Sequence, residues 1–225
     1  MKLSEAKDSF LILFTHELKT PLNAIINFSQ YLYKNMHRID EIPKVKRMHL
    51  LEQIYKSAAS MLENVTNILD LSRLRNHKLN YTYTLFDLNA TILEVIERHQ
   101  PLAFELRKTI HYQSDGSEPY ITSDEYRLKQ ILANVVSNAL KYGSSKVNIF
   151  LLSDNEKIEI IIEDDGKGIV DKEAVFELYE QDAKGVTSME KKGTGIGLNF
   201  VKLLCEDLRF SYRLEDARSL GGTWF

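Results

Sequence analysis

The chain has 225 residues, 44% hydrophobic and 27% charged, with 10 Gly, 4 Pro and one cysteine, Cys205. Collagen-like, low-complexity and disordered classes are excluded, and a lone thiol excludes intrachain disulfides and thiolate zinc clusters, which fits a reducing compartment. The net charge of -3 divides unevenly, with 12 Lys and Arg against 8 Asp and Glu in residues 1–80 and 17 against 24 in the rest. No concentrated basic face of the kind nucleic acid requires appears, so no nucleic-acid partner is expected.

The longest apolar run near the start, Phe10-Leu11-Ile12-Leu13-Phe14, is far short of the roughly 20 residues a membrane span needs. No secretion signal precedes it. The chain is expected to be cytoplasmic, meeting a membrane only through a segment not present in it. It starts almost directly in its first helix, which leaves open an excised core or a chain that works with another segment or protein.

Residues 1–80 contain no glycine and only two prolines, Pro21 and Pro43. Apolar residues recur at Leu11, Phe14, Leu18, Ile25, Phe28 and Leu32, with Pro21 on the same seam. A second series runs Leu51, Ile54, Ala58, Met61, Val65 and Ile68. Both have the period of helices packed as a bundle, and residues 35–43 read as the turn between them. Leu22, Leu62 and Leu69 widen the apolar stripe beyond what one partner helix covers. The expectation is a homodimer forming a four-helix bundle.

From about residue 81 the pattern changes. Tyr81–Phe86 and Thr109–Gln113 alternate as strands do, around a predicted helix from Leu88 to Arg107. A helix capped by Ser123 or Asp124 runs to about Tyr142. Lys146–Leu152 and Lys157–Glu163 read as strands, a helix is expected from about Gly195 to Leu208, and strands near Phe210–Leu214 and Thr223–Phe225 end the chain. The fold class is an α+β sandwich, with helices on one face of a mixed sheet. The boundaries are 1–80 for the helical hairpin and 81–225 for the sandwich.

On the first seam Leu11 takes heptad position a, Phe14 d and Leu18 a, so His16 falls at f, away from the bundle axis. Glu17 follows it, and Thr20 and Asn23 come one and two turns later, while Pro21 removes a helical hydrogen bond. A carboxylate that accepts the Nδ1 proton leaves Nε2 a free nucleophile. Any one of six histidines is more often a plain surface residue, and for the other five that reading stands.

Three segments of the sandwich carry chemistry. Asn134-Val-Val-Ser-Asn138-Ala-Leu-Lys141-Tyr142 puts amide oxygens suited to Mg²⁺ and a lysine on one helix face. Asp164-Asp165-Gly166-Lys167-Gly168 ends an apolar strand, where an Asp can accept from an amine and glycines let the chain approach a flat base. Gly193-Thr-Gly195-Ile-Gly197-Leu198 opens a helix, with backbone N–H groups for an anion. Taken singly, each is also a polar stripe, a turn or a glycine cluster.

Their order and spacing resemble the catalytic core of sensor histidine kinases of two-component systems. Phe14 to Leu22 is similar to the family's H box, Asn134 to Tyr142 to its N box and Asp164 to Gly168 to its G1 box. Val175 to Gln181 is similar to the F box and Gly193 to Leu198 to the G2 box. The resemblance implies a dimeric phospho-acceptor hairpin followed by the GHKL-type (Bergerat) ATP-binding sandwich shared with gyrase, Hsp90 and MutL. It implies transfer of the ATP γ-phosphoryl to His16 and onward to an aspartate of a response regulator.

In that scheme Glu17 is the adjacent base, and Thr20 orients water when the bundle dephosphorylates the regulator. Asn138 ligates Mg²⁺, Asn134 supports it and Lys141 lies near the phosphates. Asp164 binds the adenine amino group with Tyr142 beside the base, Gly166 and Gly168 shape the pocket, and Gly193, Gly195 and Gly197, with Leu198, border the lid at about 182–192. Three departures stand out. Asp165 occupies a place where the family commonly has Asn, adding charge near the pocket. Lys192 replaces a frequent glycine, and with no lid arginine the γ-phosphate is left to Lys184, Lys191 or Lys192.

Overall fold

Where the glycine-free first third carries 3-4 apolar spacing, two long helices form, α1 (Lys2–Lys34) and α2 (Lys44–Arg75), joined by a 3-10 turn at Met36–Glu41. The computed structural model describes residues 2–76, 78–116, 119–154, 156–176, 197–217 and 221–225. It divides into two units, Met1–Leu79 and Asn80–Phe225. Among the described residues no helix is long and apolar enough to cross a membrane.

Helix α1 continues through Pro21, whose missing N–H removes one backbone bond without ending the helix. Leu18, Pro21, Ile25, Phe28 and Leu32 are half-buried, while Lys19, Thr20, Asn23 and Ile26 are exposed. On α2 the seam lies slightly to one side of the expected one. Ile54, Met61, Val65 and Ile68 are half-buried as expected, but Leu51 and Ala58 are exposed, and Leu50 and Ser57 take their places. The reason is that α2 carries two apolar stripes. Leu51 and Ala58 belong to the outward one with Tyr55, Leu62 and Leu69, which are exposed.

Among the described residues, the second unit contains α3 (Leu88–Glu105), α4 (Glu125–Tyr142) and α5 (Gly197–Leu208) with seven strands. β2 (Thr109–Ser114), β4 (Lys146–Ser153), β5 (Ile158–Asp164), β7 (Thr223–Trp224) and β6 (Glu215–Asp216) form one sheet in that spatial order. β2 is parallel to β4 and the other pairs are antiparallel, so the sheet is mixed. On β4 the alternate residues Val147, Ile149 and Leu151 are sealed, whereas Asn148 and Phe150 are half-buried. That one-sided burial seats the helices on a single face.

α4 is the central helix of this layer. Its buried stripe is Leu128, Ile131, Leu132, Val135, Val136, Ala139 and Leu140, at the i, i+3, i+4 spacing of a core face. Each large side chain so covered contributes about 1.5–3 kcal/mol of burial. Asp124 rather than Ser123 caps it: one carboxylate oxygen accepts from Arg127 N–H at 3.0 Å and the other from Thr82 N–H at 2.7 Å. Asp87 caps α3 in the same way, accepting from Asn89 and Ala90.

Two expectations are corrected. Residues 210–214 are not a strand. They alternate half-buried and exposed because Tyr212 packs on Phe176 and Phe225, with ring centroids 5.1 and 6.5 Å apart, and the ladder begins only at Glu215. A strand that was not expected, β3 (Tyr120–Ser123), pairs antiparallel with β1 (Thr84–Asp87) in a separate two-stranded sheet.

Candidate functional site

The polar face of α4 follows from the core face: with 128, 131, 135 and 139 turned inward, positions 134, 138 and 141 fall to the other side. Asn134 and Asn138 are half-buried and Lys141 is exposed. The Asn134 amide donates to Gln130 O at 2.9 Å, leaving its Oδ1 as an acceptor. At Gly197, the first residue of α5, a Cβ would lie 3.0 Å from Asn134 Oδ1 and 3.9 Å from Asn138 Nδ2. The first and third sequence segments therefore meet here, backbone against amides, with Leu198 half-buried next in line. Asn199, one residue further, donates from its amide to Phe176 O at 2.8 Å, and joins α5 to the turn 174–176.

The other end of α4 meets the second segment. Asp164, 8% exposed at the end of β5, accepts from Gly166 N–H at 2.8 Å and Thr223 N–H at 3.4 Å through Oδ1. Three glycines crowd it. A Cβ on Gly143 would come 3.2 Å from Asp164 Cβ, one on Gly166 2.8 Å from Asp164 Oδ1, and one on Gly222 would strike the Asp164 carbonyl oxygen. Any side chain at these positions would collide with backbone or carboxylate. Gly168 adopts φ +73°, a conformation that favours glycine. Tyr142 is exposed at the helix end.

Burial pushes the Asp164 carboxyl above its ordinary range; the N–H groups of Gly166 and Thr223 oppose this, the Asp165 charge adds to it and Lys108 pulls it back. Asp165 behaves oppositely. Burial opposes its ionisation too, but the Ser145 hydroxyl and the N–H groups of Lys146, Ser145 and Ser144 outweigh it and hold the carboxyl well below the carboxylate range. Those donors lie 2.6 to 3.0 Å away. The extra charge expected near the pocket is thus engaged by the turn between α4 and β4, which it clasps. Sequence reasoning missed this clasp, and also the part played by Gly222 and Thr223. The Gly-Gly-Thr run before the last strand was the signal available for the latter.

Position 16 lies in α1; the side chains of His16 and Glu17 lie outside the described residues. The neighbouring Thr15, Lys19, Thr20 and Asn23 are exposed. Gly193, Gly195, the lid residues 182–192 and the F-box residues after Phe176 also lie outside the described residues.

Residues 6–77 match the His Kinase A (phospho-acceptor) domain, and residues 123–225 the histidine kinase-, DNA gyrase B- and HSP90-like ATPase family. The signal transduction histidine-protein kinase BarA of Escherichia coli (strain K12) is 32% identical over 231 residues, covering 97% of this chain and 24% of BarA. The chain spans about a quarter or less of the curated relatives it matches. Among solved structures, the Acinetobacter baumannii histidine kinase AdeS superposes with a TM-score of 0.65 at 20% identity, covering 93% of this chain and 94% of that one. Histidine kinase ThkA, solved in complex with response regulator protein TrrA, gives 0.59 at 18% identity, covering 94% and 57%. At these identities the structures speak for the fold.

Proposed function

We infer the activity from membership: the chain belongs to the sensor histidine kinases and constitutes a catalytic core of that family, a phospho-acceptor hairpin followed by an ATPase domain. Our reading is that it autophosphorylates on His16 with ATP and passes the phosphoryl group to an aspartate of a response regulator. The observation that carries it is the double engagement of α4. Its Asn134–Asn138 face meets Gly197, and its C-terminal end, Tyr142 and Gly143, meets Asp164 and Gly166. From Asn134 to Gly143, at about 1.5 Å per residue, the helix runs about 13 Å, a span suited to a nucleotide with its base at Asp164 and its phosphates along the Asn134–Asn138 face. Gly143, Gly166 and Gly222 let the backbone close in on Asp164, as an approach to a flat base requires.

The roles follow from the donor chemistry. Ionised Asp164 accepts from an adenine amino group, with Tyr142 beside the ring and Gly166 and Gly168 shaping the wall. Asn138, seconded by Asn134, presents hard oxygen of the kind Mg²⁺ takes, and the metal would neutralise charge on the phosphates. Lys141 faces them from the next turn. The N–H groups of Gly193, Gly195, Gly197 and Leu198 receive the terminal phosphate.

Glu17 holds the Nδ1 proton of His16. The Nε2 lone pair attacks Pγ, and the bond to the bridging oxygen breaks with its electron pair leaving on ADP. An aspartate oxygen of the regulator then takes the phosphoryl group as the N–P bond breaks and its electrons return to Nε2. Such transfers ask the protein mainly for positioning and charge neutralisation. Thr20, exposed one turn after His16, orients water for the reverse task of dephosphorylating the regulator. The outward stripe of Leu51, Tyr55, Leu62 and Leu69 supports a homodimer closing a four-helix bundle.

Mg²⁺ and γ-labelled ATP should give an acid-labile, base-stable phosphate on the chain. His16→Gln should abolish it, and Asn138→Ala should abolish it while the dimer persists on a sizing column. Labelling of His16→Gln at the wild-type level would refute the reading.

A further inference from the structure

Lys108 lies far in sequence from every motif above, yet it reaches the end of α4. The chain turns out of α3 through a complete Schellman pair: Lys108 N–H donates to Ala103 O at 2.8 Å and Arg107 N–H to Phe104 O at 3.1 Å. Arg107 stands at φ 56° where such turns usually have glycine. The next residue, Thr109, docks at once, donating to Ser145 O at 2.9 Å and opening the parallel β2–β4 ladder. Held from both sides, the half-buried Lys108 directs its ammonium to the carbonyl of Leu140 and, at 2.7 Å, to that of Gly143.

Leu140 O belongs to the last turn of α4, whose carbonyls have no helical partner, and a cation there also opposes the negative end of the helix dipole. Gly143 is the residue on which the base end closes, since its Cα lies 3.2 Å from where a Gly166 Cβ would stand and its own Cβ would lie 3.2 Å from Asp164 Cβ.

We propose that Lys108 is a positioning residue for the base-binding end of the nucleotide site. By holding the Leu140 and Gly143 carbonyls it fixes the α4 terminus against Asp164 and Gly166, and so sets how the Asp164 carboxylate is presented to an adenine. This rests on the nucleotide reading above and assigns to it a residue outside its five boxes. The Lys108 charge also favours the ionised Asp164 that an amino group needs as acceptor.

The test is the ratio of ADP to GDP affinity, measured by calorimetry on the full chain with Mg²⁺. Guanine lacks the amino group that Asp164 would accept from, so base-end damage lowers the ratio, while general loosening weakens both nucleotides alike. Lys108→Met should weaken ADP about tenfold and leave GDP unchanged, the effect of unpairing two carbonyls at a packed contact. Lys108→Arg, which keeps the charge and offers several donors, should return the ratio to within about threefold of wild type.

If Lys108→Met does not fold, Lys108→Gln, which retains a donor without charge, should still cost ADP about threefold for the lost charge-assisted bond. A wild-type ratio in the folded neutral variants would overturn the proposal. Asp164→Asn separates the two readings. If it loses ADP selectivity while Lys108→Met keeps it, only the role of Lys108 falls; if wild type shows no selectivity, the base site itself falls.

Discussion

In the sandwich Leu140, Val147, Leu151, Val201 and Leu204 have no exposed surface, whereas most seam residues of the α1–α2 hairpin are only half-buried and Leu62 is 69% exposed. The sandwich closes its core with its own three helices and one sheet face. The hairpin leaves an entire apolar stripe of α2 outside. One unit therefore carries its stability within the chain. If the other closes its stripe on a second copy, as proposed, its apparent stability should follow protein concentration.

The largest effect is expected in the sandwich. Leu140→Ala should lower its unfolding free energy by about 2–5 kcal/mol, read by urea melts, with the same loss at every protein concentration. Leu62→Asp is the counterpart in the hairpin. It should weaken the dimer by about 30-fold or more, about 2 kcal/mol, by sedimentation, and leave the sandwich transition unmoved. Recovery of Leu140→Ala at high concentration, or a shifted sandwich transition in Leu62→Asp, would erase the contrast.

Within the sandwich, the adjacent carboxylates Asp164 and Asp165 sharpen the comparison further, because their shifts have opposite signs. Asp165, depressed in the fold, adds stability that is fully present above its unfolded value near 4 and lost as pH falls through its lower native value. Asp165→Asn should cost about 1–2 kcal/mol at pH 7, with the gap to wild type narrowing below about pH 4. Asp164, raised in the fold, does the reverse: its charge disfavours folding at neutral pH, and protonation relieves it. Its protonation also loses the charge that strengthens it as an acceptor and turns one oxygen into a donor, so ADP affinity should fall on acidification, and Asp164→Asn should abolish that dependence. A gap for Asp165→Asn that widens in acid would contradict the clasp.

What could be read in advance were features written in local spacing. A cap at Ser123 or Asp124 pointed to a helix reaching about Tyr142, which forms at Glu125–Tyr142, and the two hairpin helices followed from their seams. Alternation misled at 210–214, because the aromatic packing of Tyr212 produces the same period as a ladder. On α2 two stripes one residue apart made Leu51 and Leu50 equally plausible as seam residues. Candidate site residues could be singled out where one segment carried its own chemistry, as at Asn134–Asn138 and Asp164. The site was illegible where partners meet across the fold. Asp165 finds its donors about 20 residues earlier, and Lys108 reaches carbonyls 32 and 35 residues away.

The smallest effect compares the turns of the two units. Arg107, at φ 56°, holds a backbone shape that costs a residue with a Cβ roughly 1–2 kcal/mol. Glycine would remove that strain but gain entropy when unfolded, so Arg107→Gly should stabilise the sandwich by about 0.5–1 kcal/mol. Arg38, in the 3-10 turn of the hairpin, stands at φ -123°, which any residue adopts freely. There glycine brings only its entropy, and Arg38→Gly should cost about 0.5 kcal/mol. Opposite signs in urea melts of the two variants are the expected result. A loss at Arg107 would mean that its side chain, and not the backbone alone, supports the turn that aims Lys108.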